Sequence, residues 1–219
     1  MKKLVLILVV LLSFNALGFG MLRDSVSTTY KHPDFVSHSK VWVKADKMLM
    51  NKVIDDFLND TYYNFDNLLL WGLKDMKLSK QKDKLIVFDF KSTKLNPQTG
   101  IVNGLGDVEV PGIITFTDIK VDSRFTKKNV GTKTRVDIEV IRSDAFLKKT
   151  VGTMYMTPIN DNLCVLTLDT AVQFGWFFNI FITQPMYRSI MEWRFHKLLT
   201  NLRDEAEKRQ QNLNKETKK

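Results

Sequence analysis

The residue types that most often do chemistry in proteins are scarce in this sequence, and they do not cluster. The histidines are His32, His38 and His196, and no group of cysteines or acidic residues accompanies them at the spacing of a metal site. The single cysteine, Cys164, lies in the apolar run 163–168, where a thiol usually packs as a small hydrophobic side chain. We therefore expect no bound metal, no intramolecular disulfide and no nucleophilic cysteine.

Motifs for cofactor binding and for hydrolysis are incomplete or missing. Gly104 and Gly106 begin like a dinucleotide-binding fingerprint, but Glu109 stands where its third glycine belongs and no helix is predicted to follow. The sequence contains no Walker motif and no G-x-S-x-G motif. It thus supplies no catalytic residue and no cofactor, and it favours a binding protein over an enzyme.

Composition and charge indicate a folded domain whose positive net charge attracts it to anionic surfaces. Of 219 residues, 44% are hydrophobic and 26% are charged, which is the balance of one globular domain and excludes a disordered chain. The formal net charge is +9, which favours encounters with anionic surfaces. The basic residues are dispersed rather than interleaved with exposed aromatic side chains, so nucleic acid is not an expected partner.

The N-terminus has the pattern of a secretory signal peptide. Two lysines precede an unbroken apolar run at 4–12, and small residues follow at the positions that a signal peptidase recognises. Residues 1–18 are the predicted signal peptide, with cleavage after Gly18 or, alternatively, after Gly20. An uncleaved anchor is the other interpretation, although the run is shorter than the ~20 residues of a membrane-spanning helix. The protein is predicted to be exported, to a periplasm or out of the cell.

After the signal peptide we predict an N-terminal arm at 19–40, a single domain at 41–207 and a charged tail at 208–219. The domain begins with a short strand. Asp46 then precedes apolar residues at helical spacing and is a candidate N-cap, and a second helical patch follows at 62–71.

The rest of the domain alternates between apolar and polar residues, which is typical of strands. Two shorter strands are expected before residue 110, and four long ones follow, at 113–125, 132–142, 146–157 and 163–174. Turn-forming residues separate them, and such short connections join antiparallel neighbours. The last element is an amphipathic helix that begins near Pro185.

One face of these strands is apolar and the other is charged. In the first long strand the inward set is Ile113, Thr115, Thr117, Ile119, Val121, Ser123 and Phe125. The predicted interior contains almost no ionisable group, which argues against acid–base catalysis there. The long C-terminal helix and the two early helices must cover this face, so it becomes a core or a cavity.

This order of elements resembles the helix-grip fold of the START-related superfamily, often labelled SRPBCC. The likeness is strongest from a strand that ends at Pro158, through the turn 160–162 and a Phe-rich connection, to Met186 and a helix that ends near Glu207. The resemblance implies an α+β fold in which a curved antiparallel sheet wraps around a long C-terminal helix, with two short helices after the first strand. It also implies an apolar cavity that holds a lipid, a sterol or a polyketide.

The expected function is that of an exported protein that binds a hydrophobic small molecule or lipid between the sheet and the C-terminal helix. Register can slip by one residue and exchange the two faces, so Phe116 is the alternative to Ile119. The candidate ligand-binding residues lie on inward strand positions, on the C-terminal helix or on the connection before it: Ile119, Val121, Ile138, Met154, Leu166, Trp176, Phe178, Met191 and Phe195.

Two other functions stay open, and so does the role of the Phe-rich connection at 174–182, which is either core or a membrane-facing lip. An enzyme of cyclase or dehydratase type needs inward polar groups and an inward acid or base. The candidates for those roles are Thr117, Ser123, Tyr155, Arg142 and Asp107. A module that binds another protein or an anionic membrane surface would instead use the positive charge.

Overall fold

The computed structural model describes residues 22–76, 87–110, 114–144 and 146–217. The predicted signal peptide lies outside the described residues. Within the described part of the chain, eight strands form one curved antiparallel sheet. Their bounds are β1 Ser25–Lys31, β2 Asp34–Val43, β3 Val87–Asn96, β4 Ile101–Val110, β5 Ile114–Val130, β6 Lys133–Ser143, β7 Leu147–Asn160 and β8 Leu163–Phe174.

The strand order across the sheet is β1-β2-β8-β7-β6-β5-β4-β3, and every neighbouring pair is antiparallel. The run from β3 to β8 is a meander of neighbours, as the short connections predict. The chain between β2 and β3 crosses to the opposite edge of the sheet. β2 therefore pairs with β8, and the early hairpin lies beside the last strand.

Five α-helices and one π-helical turn lie among the described residues. They are α1 Lys47–Tyr63, α2 Phe65–Leu70, α3 Trp176–Phe181, α4 Gln184–Tyr187, the π turn Arg188–Glu192 and α5 Trp193–Glu216. Asp46 caps α1, as predicted, by accepting a hydrogen bond from the Leu49 amide at 2.8 Å. α4, the π turn and α5 follow one another without a break and form the long C-terminal helix, which confirms the predicted α+β arrangement.

The N-terminal segment corrects the expectation of an irregular arm at 19–40. Residues 25–43 form the hairpin of β1 and β2, and β2 pairs with β8 inside the sheet. The inward residues of β2 include Ser37 and Ser39, and both are buried. Because these inward positions are polar, the hydropathy of the segment does not alternate, and the strand is hidden in the sequence.

The C-terminal segment also differs from the expectation, because α5 does not end near Glu207 but includes most of the predicted tail at 208–219. Arg209 in this segment pairs with Asp56 on α1 and with Glu205 one turn earlier on α5. Ion pairs rather than apolar burial hold the last turns of α5 against α1. The apolar periodicity therefore stops before the helix does.

A β-bulge corrects part of the inward set predicted for β5. Asp118 has a positive φ of 57°, a conformation that Asp tolerates better than most residues, and its amide donates to a carboxylate on β4 at 2.9 Å. The bulge shifts the alternation by one residue. Phe116 therefore packs inward, while Thr115 and Thr117 are exposed. Ile113 lies outside the described residues.

The buried side chains of the described residues form two apolar clusters. The first cluster lies under α1, α2 and most of α5. Its members on the sheet are Val41, Val43, Val136, Met154, Met156, Cys164, Leu166 and Leu168. The second cluster lies under α3, α4 and the π turn. It consists of Phe35, Val108, Ile119, Phe146, Val172, Phe174, Phe178, Ile182, Tyr187 and Ile190.

Asn201 on α5 ties the helix to the turn after α2, and this contact can be tested. Its side-chain amide donates to the carbonyl oxygens of Gly72 and Lys74, both at 3.0 Å, and Asn201 is buried. Asn201→Ala should lower the free energy of unfolding by about 1–3 kcal/mol, because the carbonyl groups lose their donor. Urea denaturation measures the change. Asn212→Ala, at an exposed position of the same helix, is the control, and equal losses in both variants would contradict the role of Asn201.

Candidate functional site

A belt of small and polar residues crosses the inner face of the sheet between the two apolar clusters. We call it the polar belt, and it consists of Ser37 on β2, Thr170 on β8, Thr150 and Gly152 on β7 and Ser123 on β5. Ser37 is paired with Thr170, and Thr170 with Gly152. Thr150 of β7 and Ser123 of β5 are both paired with Val140 of β6, which lies between them. These short side chains leave space that groups from the C-terminal helix must fill, since protein interiors are closely packed.

Tyr187 holds the C-terminal helix at one side of the polar belt. Its ring stacks on Phe35 with a centroid separation of 4.3 Å, and the Ser37 hydroxyl donates a hydrogen bond of 3.4 Å to its phenolic oxygen. Burial raises the pKa of Tyr187 to about 12. The phenol is therefore neutral at physiological pH and serves as a fixed hydrogen-bonding group.

Arg194 corrects the expectation that the interior holds almost no ionisable group. Its side chain is on α5 between Ile190 of the second cluster and Leu198, which packs against the first, and the residue is only 5% exposed. Burial lowers the pKa of Arg194 to about 10, and the negative charge of Asp89 on β3 opposes this shift. The guanidinium stays protonated at neutral pH, so a positive charge is buried between the two apolar clusters.

One hydroxyl group of the polar belt, that of Thr150, is buried and has no hydrogen-bond partner in the described part of the chain. The Thr170 hydroxyl, by contrast, interacts with the Tyr187 phenol. Buried hydroxyls in folded proteins are nearly always paired. A buried hydroxyl without a protein partner is therefore a candidate contact for a ligand.

A small cavity lies beside the polar belt, in the second cluster. Its volume is about 30 Å³, and it is lined by Phe146, Phe174, Ile182, Met186, Tyr187, Ile190 and Met191. One water molecule takes up about 30 Å³ of the liquid, so a lipid or sterol enters this cavity only if the surrounding helical segments move apart. The lining includes the π turn, and such turns inside helices are frequent at functional sites.

The structure places the nine predicted ligand-binding residues in four environments. Those in or against the first cluster are Ile138, Met154 and Leu166, and those in or against the second are Ile119, Val121, Phe178 and Met191. Phe195 packs against both clusters, and Trp176 is exposed. Phe116 also packs against the second cluster. The bulge therefore turns both Phe116 and Ile119 inward, although they were predicted as alternatives. Whether these side chains contact a ligand stays a prediction.

α3 divides its side chains between the core and the surface. Phe178 is buried in the second cluster, whereas Trp176 and Ile180 are 79% and 66% exposed. The helix begins beside β7, where the Gly175 amide donates to the Phe146 carbonyl at 3.0 Å. One side of this helix is therefore core, and the other is an exposed apolar surface.

The groups considered for the enzyme alternative lie apart in the described structure. Asp107 forms an ion pair with Lys91 at 2.7 Å, and the hydrogen bond from Lys91 holds the pKa of the Asp107 carboxyl below its usual value. Arg142 and Thr117 are exposed, and Tyr155 alternates with the inward methionines of β7 and so lies on the outer face. Of the five candidates, only the serine belongs to the polar belt.

The contacts of His38, His196 and Cys164 indicate structural roles. The His38 ring nitrogen Nδ1 lies 2.6 Å from a carboxylate oxygen of Asp169, on the exposed side of the sheet, and His196 Nδ1 lies 3.4 Å from the Ser39 hydroxyl. Cys164 is buried, and this burial raises the pKa of its thiol to about 11. Within the described residues no three side chains of His, Cys, Asp or Glu come together as a metal site would require.

No protein-family model matches the sequence, and no curated protein does. Three solved structures are similar to it. A conserved protein from Geobacillus kaustophilus has 12% identity and a TM-score of 0.53, and the match covers 79% of this chain and 95% of that one. An aromatase/cyclase from Streptomyces sp. R1128 has 13% identity and a TM-score of 0.50 over 80% and 95%. A truncated norcoclaurine synthase from Thalictrum flavum has 15% identity and a TM-score of 0.50 over 82% and 95%.

The chain has a START-like helix-grip fold. The fold predicted from the sequence is thus confirmed, while identities this low show the fold alone. None of the helices in the described part of the chain combines the length and the apolar character needed to cross a bilayer.

The polar residues of the site other than Ser123 were missed from the sequence, although a signal for them exists. Arg194 falls on the apolar stripe of the C-terminal helix, and Thr170 falls on the inward stripe of β8 between Leu168 and Val172. A polar residue on an otherwise apolar stripe predicts a buried polar group, which needs a structural or functional reason.

The unpaired hydroxyl of Thr150 leads to a stability test. Thr150→Val keeps the side-chain shape and removes a buried hydroxyl that has no partner in the described part of the chain, so the free energy of unfolding should stay unchanged or rise by about 1 kcal/mol. Thr134→Val is the matched control: Thr134 is buried, but its hydroxyl donates to Asn51 at 2.6 Å, and its loss should cost about 1–3 kcal/mol. Urea unfolding measures both, and similar losses would mean that the Thr150 hydroxyl is satisfied inside the protein.

Proposed function

We propose that this protein binds a hydrophobic ligand non-covalently between the inner face of the sheet and the C-terminal helix. The observation that carries the proposal is the polar belt, where the buried hydroxyl of Thr150 has no partner in the described part of the chain and apolar clusters lie on both sides. Ligand sites in proteins combine mostly apolar walls with a few fixed polar groups in this way.

The second apolar cluster is the proposed place for the body of the ligand. It is rich in aromatic side chains, and Met186 and Met191 line its small cavity. Methionine side chains are flexible and adapt to different shapes. The first cluster is mainly aliphatic and is covered by α1 and α5, two long helices. The ligand therefore enters at the end of the sheet that the π turn covers.

The similar structures support small-molecule binding, because two of them are a norcoclaurine synthase and an aromatase/cyclase. Their catalysis is not part of the proposal, since the candidate acid and base groups of this chain lie apart. The predicted signal peptide supports a role outside the cytoplasm, in a periplasm or beyond the cell.

Native mass spectrometry of the protein purified from its own host tests the proposal. A bound molecule should appear as an excess mass that extraction with organic solvent removes. Gly152→Leu should lower the bound fraction several-fold, because the new side chain projects into the polar belt. Gly152→Ala is the matched control, since a Cβ at this position meets Ile138 and Thr170 at 3.5 Å, an ordinary contact distance.

Two results together would contradict ligand binding. One is the absence of any excess mass in the wild-type protein. The other is the failure of the folded protein to bind 1-anilinonaphthalene-8-sulfonate, a dye that fluoresces in apolar sites. Near-ultraviolet circular dichroism on the same samples confirms that the protein is folded, because partly folded states also bind this dye.

We also propose that the exposed side of α3 binds the surface of an anionic membrane, from which the ligand is taken up. Trp176 and Ile180 are exposed on this helix, and Lys148 and Lys149 of the adjacent β7 are exposed as well. Aromatic and basic side chains together are typical of surfaces that insert shallowly into anionic bilayers.

Co-sedimentation with lipid vesicles tests the membrane surface. Vesicles containing phosphatidylglycerol should bind the protein in a salt-dependent manner, and vesicles of phosphatidylcholine alone should not. Trp176→Ser should weaken the binding by about tenfold or more, because the variant has no indole ring to transfer from water into the membrane. Met48→Ser is the control, since Met48 is about equally exposed but lies in the first turn of α1. Equal effects of the two substitutions, or equal binding to both kinds of vesicle, would contradict the proposal.

A further inference from the structure

The two edges of the sheet differ in how they are protected from other chains. β3 forms one edge and has charged residues at three of its ten positions, Asp89, Lys91 and Lys94. A bulge interrupts its pairing with β4, and Thr93 ties it to α1 by donating a hydrogen bond of 2.7 Å to the Thr61 carbonyl. Charges, bulges and covering helices all keep an edge strand from pairing with another chain. The β3 edge is therefore protected.

β1 forms the other edge and lacks the charges and the bulge. Residues 25–30 include no charged residue and no proline, and the pairing with β2 runs without a bulge from Ser25 to Lys31. Within the described part of the chain, no strand pairs with the outer side of β1, and all seven residues except Thr28 are exposed. An edge strand of this kind presents a row of backbone N–H and C=O groups to which another strand can bind.

We infer that the partner of this edge is a second copy of the chain. Two β1 strands pair antiparallel about a twofold axis and join the two sheets into one. Such an interface uses the same residues from both copies, so the strand must be complementary to itself. The side chains of β1 meet this condition in one register.

The apolar side chains select that register. Thr28 is the middle residue of β1, so pairing about Thr28 uses all seven residues of the strand. Val26 of each copy then lies opposite Tyr30 of the other, and these are the exposed large apolar residues of β1, at 36% and 38%. Aromatic and β-branched side chains in opposite positions stabilise antiparallel strands.

The charges at the ends of β1 agree with the same register. Asp24, just before the strand, comes opposite His32 of the second copy, just after it, and Ser25 comes opposite Lys31. Pairing shifted to centre on residue 27 would instead place Arg23 opposite Lys31. Like charges in opposite positions destabilise a strand pair. Pairing about Thr28 therefore avoids this repulsion.

Charge substitutions on the outer face of β1 test the inference. In the proposed register, Ser27 of each copy faces Thr29 of the other, and both residues are exposed. Ser27→Lys combined with Thr29→Lys should raise the dissociation constant of the dimer by about tenfold or more, because lysines face each other twice. Ser27→Glu combined with Thr29→Lys should return it to within about threefold of the wild-type value, since opposite charges then face each other. Sedimentation equilibrium measures the constants.

Thr115→Lys combined with Thr117→Lys is the matched control. It adds the same charge at exposed threonines of β5, which is an interior strand, and should leave dimerisation unchanged. Trp176→Ser should also leave it unchanged, which separates pairing of β1 from association through the exposed side of α3.

Three results would overturn the inference. One is a wild-type protein that stays monomeric up to about 1 mM. Another is a dimer that the two lysines do not weaken, or that the glutamate and lysine together do not restore. Hydrogen exchange of the wild-type protein supplies the third and decides even if a variant does not fold. Amides of β1 should exchange more slowly as the protein concentration rises, and protection of β1 that is independent of concentration would contradict the pairing.

Discussion

The position of the C-terminal helix along β2 is the constraint on which the rest of the interior depends. Tyr187 stacks on Phe35 at one end, and Glu207 accepts a hydrogen bond from the Lys44 amide at 2.8 Å at the other. An α-helix with its side chains is only ~10–12 Å wide, so a helix held on β2 does not also cover the strands toward the far edge of the sheet. Side chains such as Arg194 must reach across, and the sheet residues below them are short.

The helices divide the interior into a half covered by two long helices and a half covered by α3 and the start of the C-terminal helix. α1 has 17 residues and packs with α5 over the first cluster, and buried contacts on both helices hold that half together. The second cluster is covered by α3, a helix of six residues, and by the start of the C-terminal helix, which the π turn interrupts. Local opening draws on the less stable parts of a fold, so in the proposed function the ligand enters at the second cluster.

The sequence predicted the fold where the inward residues are aliphatic and failed where they are not. β8 was found with its correct inward face, because Leu166, Leu168 and Val172 alternate with polar residues. The part of β2 before the predicted short strand at 41–43 was missed, because two of its inward residues are serines. Arg194 was overlooked because its position was assigned by hydropathy alone. No local pattern revealed the bulge at Asp118, since its cause is pairing with another strand. The residues that hid the strand and the charge are the ones that form the site, as expected when functional sites break local rules.

The composition of the polar belt indicates a common cause for its residues. A core selected for stability alone gains from valine in place of Thr150, from alanine in place of Gly152 and from an apolar side chain in place of Arg194. Isolated departures from the optimum are ordinary in natural proteins, which need only exceed a threshold of stability. Here the departures on the sheet are contiguous, because Thr150 and Gly152 lie on the same face of β7 and Gly152 is paired with Thr170 of β8. The ligand of the proposed function is a common cause for them, since a molecule bound at the polar belt would contact these groups at once and stabilise the folded protein by mass action.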